Sequence, residues 1–367
     1  MNPFESLQAR FSLRWSRRLV LASAITALPT LSSGTVAIAD DRDDGAVRIM
    51  TQNLYQGTNF TEVLSATTPA AFVGAVTTTF NNILNTKPLE RAAAVAGEIA
   101  RERPDLVGLQ EAAIVRTGTA PATTVVVDQL QALLGELDKR GQRYEAVAIV
   151  PNVDVEAPST LGFDVRVTVR TVIIARAGSN DLKLSNLQVQ SFLVNKSFGT
   201  AVGSVINTRG WASVDVRLRG RSFRLATTHL EGASPFTIQQ AQAKELIQSA
   251  GNTTLPVVFI GDFNIAANNG LDPTFPTYQL FINAGFTEAW PLKHAPDPGF
   301  TCCQNPDLLN PTSLLNTRID LVLFRGAFAV TDIKRVGDSP SDRTPSGLWP
   351  SDHAGVVATL QVPATND

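Results

Sequence analysis

The chain has 367 residues, 44% hydrophobic and 17% charged, with 25 Gly and 21 Pro. That is a soluble globular composition, long enough for one large domain or two small ones. The formal net charge is −2, so nothing global marks a polyanion binder, although local patches stay open.

Arg10, Arg14, Arg17 and Arg18 precede an apolar run from Leu19 to Leu31, and Ala37-Ile38-Ala39 stands just before the acidic Asp40-Asp41-Arg42-Asp43-Asp44. Basic region, short apolar core and small-residue site predict a secretory signal peptide over residues 1–39. The apolar run is about 13 residues, short of the roughly 20 a membrane span needs. Ser16-Arg17-Arg18-Leu19-Val20-Leu21 resembles a twin-arginine export signal, or is a chance Arg pair. The mature protein is therefore expected to be secreted or periplasmic, without a transmembrane segment, and monomeric. Removing four Arg and one Glu with residues 1–39 leaves it a net charge of −5. Residues 40–46 read as a disordered acidic linker, 47–362 as the domain and 363–367 as a tail.

In chain order, Val47–Asn53 is predicted as a strand and Pro88–Glu102 as an amphipathic helix, its apolar residues falling at Leu89, Ala92, Ala93, Val95, Ala96, Ile99 and Ala100. A strand Leu106–Gln110 follows, then a helix Thr124–Lys139 and a strand Tyr144–Val150. Val165–Ala175, Val189–Phe192, Trp211–Leu218 and Phe223–Thr228 are β-rich, with a hairpin turn at Gly220-Arg221. Phe236–Ala250 reads as a helix stopped by Gly251-Asn252. Pro256–Ile260 is a continuous apolar strand buried on both faces, and Ile319–Phe324 and Val356–Val362 are the last strands. Residues 293–317 read as a long surface loop beside a functional site. Within it, Cys302 and Cys303 are adjacent, so they either pair with each other in a strained eight-membered ring or stay thiols; their spacing fits no zinc site.

Polar residues of a narrow set of types stand at the strand ends: Asn53, Glu111, His229, Asp262 with Asn264, Asp320, and Asp352-His353. A carboxylate inside a buried strand is costly unless paired or metal-bound, so such residues gather where a sheet opens to solvent. Glu111 with Asp262 or Asp352 offers hard oxygen ligands for Mg²⁺ or a similar ion, which would neutralise charge developing on a phosphoryl group. His353 can exchange protons near neutral pH, with Asp320 orienting its ring. Asn53 and Asn264 can donate to phosphate oxygens, or hold a carboxylate or attacking water in place. His294 carries no assigned role.

The ordered set Gln52-Asn53-Leu54, Gln110-Glu111, Thr228-His229-Leu230, Gly261-Asp262-Phe263-Asn264, Arg318-Ile319-Asp320 and Ser351-Asp352-His353 resembles the endonuclease/exonuclease/phosphatase superfamily, which includes DNase I-like nucleases and neutral sphingomyelinases. The resemblance implies an α/β fold, a DNase I-like four-layer α/β/β/α sandwich of two packed mixed β-sheets, and hydrolysis of a phosphate ester by activated water. It implies Mg²⁺ (or Mn²⁺ or Ca²⁺) held by Glu111, with Asn53 beside it and Asp352 as a further ligand. It casts Asp262 as the residue that positions or activates water, Asn264 as a phosphate-oxygen donor, His353 as the catalytic histidine with Asp320 as partner, and His229 as a second histidine. The carboxylate that supports that second histidine in DNase I-like members has no counterpart in Val165–Arg170, and Asp164 is its one candidate substitute. Arg170 contacts the substrate phosphate or is an exposed strand residue.

The expected substrate is a phosphodiester, in nucleic acid or a phospholipid head group, with a small or inositol-type phosphomonoester as the alternative and a non-catalytic binding protein behind both. The net charge of −5 counts mildly against tight DNA binding. Trp211, Trp290 and Trp349 are expected in the core or at the rim rather than as membrane anchors.

Overall fold

A computed structural model describes residues 45–363; the expected signal peptide, the acidic run to Asp44 and the last four residues lie outside it. The strands are β1 (Ala46–Asn53), β2 (Leu106–Gln110), β3 (Ile114–Gly118), β4 (Thr124–Asp128), β5 (Tyr144–Pro158), β6 (Asp164–Arg176), β7 (Leu182–Ser191), β8 (Lys196–Thr200), β9 (Gly203–Asn207), β10 (Gly210–Leu218), β11 (Arg221–His229), β12 (Val257–Asp262), β13 (Thr287–Glu288), β14 (Asp320–Arg325), β15 (Ala329–Val336) and β16 (Gly355–Gln361). The helices are α1 (Thr61–Ser65), α2 (Pro69–Asn85), α3 (Pro88–Glu102), α4 (Gln129–Lys139), α5 (Thr237–Gln248), α6 (Phe275–Asn283) and α7 (Pro291–His294).

Two mixed sheets result. One runs β15-β16-β1-β2-β6-β3-β4, with β5 on the other edge of β6, and the second runs β13-β14-β12-β11-β10-β7. The pairs β1–β2 and β11–β12 are parallel. Apolar residues of the two inner faces, among them Ile49, Ile173, Val214, Leu225, Ile260 and Val322, interlock as the central core. The outer face of the first sheet buries Val95, Ile99, Leu133 and Leu137 of α3 and α4, and that of the second buries Leu246 and Phe281 of α5 and α6. Removing this area from water on both faces of each sheet drives the layering. The architecture is the expected four-layer sandwich.

Several elements follow directly from local chemistry. Helix α3 has the expected bounds because its apolar residues lie on one face and Pro88 occupies its first turn. The hairpin between β10 and β11 turns on Arg219 and Gly220, both at positive φ (49° and 80°), the conformation that two-residue hairpins require. One expectation is corrected. Thr124–Asp128 is a strand and not the start of a helix, since its run of β-branched residues pairs with β3, and Asp128 then caps α4 by accepting from the Gln131 N–H. Strand β5 also extends well past Val150, to Pro158. All of Trp211, Trp290 and Trp349 are buried. Among the described residues no helix is long and apolar enough to cross a membrane.

Candidate active site

Register assembles the site. In the second sheet His229 stands opposite Asp262 across the β11–β12 pair, and Asp262 opposite Asp320 across β12–β14. Three residues far apart in sequence thus form one row across three adjacent strand ends. From the first sheet, Asn53 ends β1, and Glu111 follows β2 at positive φ (56°). The segment leading into β16 supplies Asp352 and His353, because β16 runs antiparallel to β1. Gly261 is required here: at φ 150° a Cβ would collide with the Thr228 carbonyl oxygen on β11. Phe263, fully buried and edge-on to Phe281, fixes the turn from below.

Asp262 is the hub. Its Oδ1 accepts from the Asn264 backbone N–H at 2.9 Å. Its Oδ2 accepts from Asn53 Nδ2 at 3.1 Å and lies 3.3 Å from His229 Nε2. Burial, then the nearby Asp320, pushes the Asp262 carboxyl up to about 7 against the opposing pull of His353. Asn53 therefore holds a carboxylate in place. Its own Oδ1 accepts from the Tyr55 N–H at 2.8 Å, which leaves the second lone pair of that oxygen facing the site.

The two histidines are shifted in opposite directions. His353 Nδ1 donates to Asp320 Oδ2 at 2.8 Å, leaving Nε2 at 4.0 Å from Asp262 and 3.9 Å from Asp352. Burial opposes its charge, but Asp320 and Asp352 outweigh burial and carry the ring well above its ordinary value. His229 Nδ1 receives a hydrogen bond from Arg209 Nη1 at 2.7 Å. A guanidinium only donates, so Nδ1 is unprotonated and Nε2, 3.3 Å from Asp262 Oδ2, carries the hydrogen. Burial, Arg209 and His353 all hold it well below its ordinary value. The second histidine is thus supported by an arginine, and Asp164, paired with Gly118 and Pro158 at the far end of β6, is not its partner.

Removing the cation therefore shifts His229 in a definite direction. In Arg209→Leu its ring is expected to titrate at higher pH than in the wild type, because one of the forces opposing its charge is gone. Histidine NMR reads this directly in a chain with three His. A titration that does not move contradicts the Arg209 contact.

Glu111 accepts from the Gln56 N–H at 3.0 Å. Burial raises the Asp352 carboxyl to about 6, with Glu111 and Asp320 pushing the same way against His353 and Arg91. Asn264, at positive φ, donates from its side-chain amide to the Leu230 carbonyl at 3.0 Å and lines the same cavity. Arg170 is corrected. Its guanidinium is buried, donating to the Ala112 carbonyl at 2.9 Å and to Asp128 at 2.6 Å, so it braces the segment after Glu111 and does not reach a substrate phosphate.

Two arginines of the site carry no local sequence signal. Arg91 lies buried on α3 and donates to the carbonyls of Leu54, Tyr55, Thr86 and Pro350, tying the segments after β1 and before Asp352 together. Arg209 precedes β10; counting back from the Gly220 hairpin sets Gly210 opposite His229, which is the signal that would have found it. In the 293–317 segment Cys302 and Cys303 are joined to each other as a disulfide, and Cys302 bridges to Thr317 and to His353. His294 contacts the Ile333 carbonyl and stacks on Trp290, a structural role.

No curated protein matches the chain. Among solved structures, an endonuclease/exonuclease/phosphatase from Beutenbergia cavernae is 19% identical, with a TM-score of 0.55 over 86% of this chain and 72% of that one. The catalytic domain of human Nocturnin, solved with a bound sulfate anion, is 18% identical, with a TM-score of 0.52 over 87% and 94%. D. rerio TDP2, solved with a single-strand DNA product, is 16% identical, with a TM-score of 0.51 over 86% and 99%. At these identities the likeness is one of fold. The Endonuclease/Exonuclease/phosphatase family model matches residues 50–353, a span that holds every residue of the site just described, and the chain belongs to that family of phosphoesterases.

Proposed function

We propose that the protein is an exported, divalent-metal-dependent phosphodiesterase. The observation that carries this reading is the gathering of His353, Asp262 and Asp320 at the strand ends, with His353 Nδ1 on Asp320 and Nε2 4.0 Å from Asp262, where the surroundings raise both His353 and Asp262. Strongly shifted titratable groups gathered in one cleft are the candidates for the acid and base of a reaction.

The donor set fits a hard cation. Glu111 and Asp352 both line the same cavity, and Glu111 raises the Asp352 carboxyl against His353 and Arg91, a pair of oxygen donors of the kind Mg²⁺, Mn²⁺ or Ca²⁺ takes. Bound there, the ion would supply charge neutralisation at the phosphoryl group. The chain's own residues do the rest. Asp262, fixed by Asn53 and the Asn264 N–H with His229 beside it, accepts a proton from the attacking water. His353 Nε2–H gives its proton to the departing ester oxygen as the P–O bond breaks, and Asp320 stabilises the imidazolium beforehand. Asn264 contacts a phosphate oxygen.

The substrate class is tested by running bis-p-nitrophenyl phosphate, p-nitrophenyl phosphate, plasmid DNA and sphingomyelin side by side in Mg²⁺ buffer. The diesters are expected to turn over faster than the monoester. A preference for p-nitrophenyl phosphate would favour the phosphomonoesterase alternative, and no turnover of any of them would favour a binding protein.

A further inference from the structure

The catalytic residues stand at one end of a cavity of about 460 Å³, within the size range of small-molecule sites. Glu111, His229, Asp262 and His353 line that end. Beyond them its wall is mostly apolar and comes from three directions: Phe72 and Val76 of α2, Val155 and Val167 of β5 and β6, and Phe198 and Val205 of the β8–β9 hairpin. The helical segment and the hairpin lie outside the two six-or-more-stranded sheets. Several of these side chains belong to a single apolar cluster, yet the cluster leaves open space. The apolar wall therefore stays unpacked by the protein's own side chains beside the reacting groups.

The chemistry of the wall selects the occupant. Away from the catalytic end its polar groups are mostly committed within the protein: Thr200 Oγ1 donates to the Gly203 carbonyl, Asn207 Nδ2 donates to Glu231, and Glu156 accepts from the Ala122 N–H. Among the described lining residues the buried Thr79 hydroxyl and the Arg209 Nε have no partner. A nucleobase carries several ring donors and acceptors, and burying them unpaired costs about 1–3 kcal/mol each. A hydrocarbon chain asks for none.

We propose that this chamber receives one alkyl or acyl chain of the substrate, so that the ester cleaved is the phosphodiester of an amphiphile. The inference rests on the phosphodiesterase reading above, and continuity of the apolar wall with the catalytic row is what ties the chain to the scissile phosphate.

The test is a series of methyl, butyl and octyl p-nitrophenyl phosphate diesters in Mg²⁺ buffer, below their aggregation thresholds. Each added methylene buried strengthens binding, so kcat/KM is expected to rise at least about tenfold from methyl to octyl. Val205→Trp, which fills the chamber, and Phe198→Asp, which charges its wall, are each expected to collapse the octyl-to-methyl ratio toward one. In parallel, calorimetry compares octyl phosphate with methyl phosphate as ligands, and octyl phosphate is expected to bind at least about tenfold more tightly, with a negative heat-capacity change. Turnover of all three diesters at equal kcat/KM overturns the chain assignment and leaves the phosphodiesterase reading standing. If no diester turns over, that reading fails, and the calorimetric comparison still decides the chamber: equal or undetectable binding of octyl phosphate overturns it.

Discussion

His353→Ala is expected to lower kcat on a phosphodiester by about 10²–10⁴-fold, the usual contribution of a positioned general acid, while the fold survives. The ring makes one strong bond, Nδ1–H to Asp320 at 2.8 Å, and its Nε2 faces Asp262 and Asp352 at about hydrogen-bond-plus distances of 4.0 and 3.9 Å. Truncation removes the proton destined for the leaving oxygen. It also leaves the buried carboxyls of Asp262 and Asp320 and the half-buried Asp352 without the cation that offsets their mutual repulsion. Asp262 and Asp352 should then hold protons to higher pH, so residual activity is expected to peak at a more alkaline pH than in the wild type. Circular dichroism separates loss of chemistry from loss of fold, and a folded variant with wild-type kcat would remove His353 from the mechanism.

Glu111→Gln is expected to cost at least about a hundredfold in activity at sub-saturating Mg²⁺, and to weaken Mg²⁺ binding measured by calorimetry. The substitution keeps the size of the side chain and an oxygen that still accepts from the Gln56 N–H, so folding should be little affected. What it deletes is one of two hard anionic donors. Its companion Asp352 loses a like-charge neighbour, and its carboxyl is expected to titrate closer to the ordinary range. Glu111→Gln binding Mg²⁺ as tightly as the wild type would place the ion elsewhere.

Much of this was legible in the sequence because the chemistry sits at strand ends. Continuous apolar runs such as Val257–Ile260 announce buried strands, and the polar residue that follows each one must lie at the sheet's opening. Helix α3 was equally plain from its periodicity. Helix α2 was overlooked, although Phe72, Val76, Thr79, Phe80 and Ile83 fall on one helical face; Thr- and Asn-rich composition masks that spacing because those residues are weak helix formers. The row His229–Asp262–Asp320 depends on register between strands that are distant in the chain, which no local pattern encodes. Arg170 illustrates the same limit from the other side: its strand was found, but its partners Ala112 and Asp128 arrive through tertiary pairing. Arg209 and Arg91 act through contacts of that kind as well.

The account's central claim is metal-dependent hydrolysis of a phosphodiester at this row of residues. Its most direct test is the initial rate on bis-p-nitrophenyl phosphate before EDTA, after EDTA, and after Mg²⁺ is restored in excess. The account predicts turnover, its loss on chelation and its recovery on readdition. A rate that EDTA leaves unchanged would contradict it.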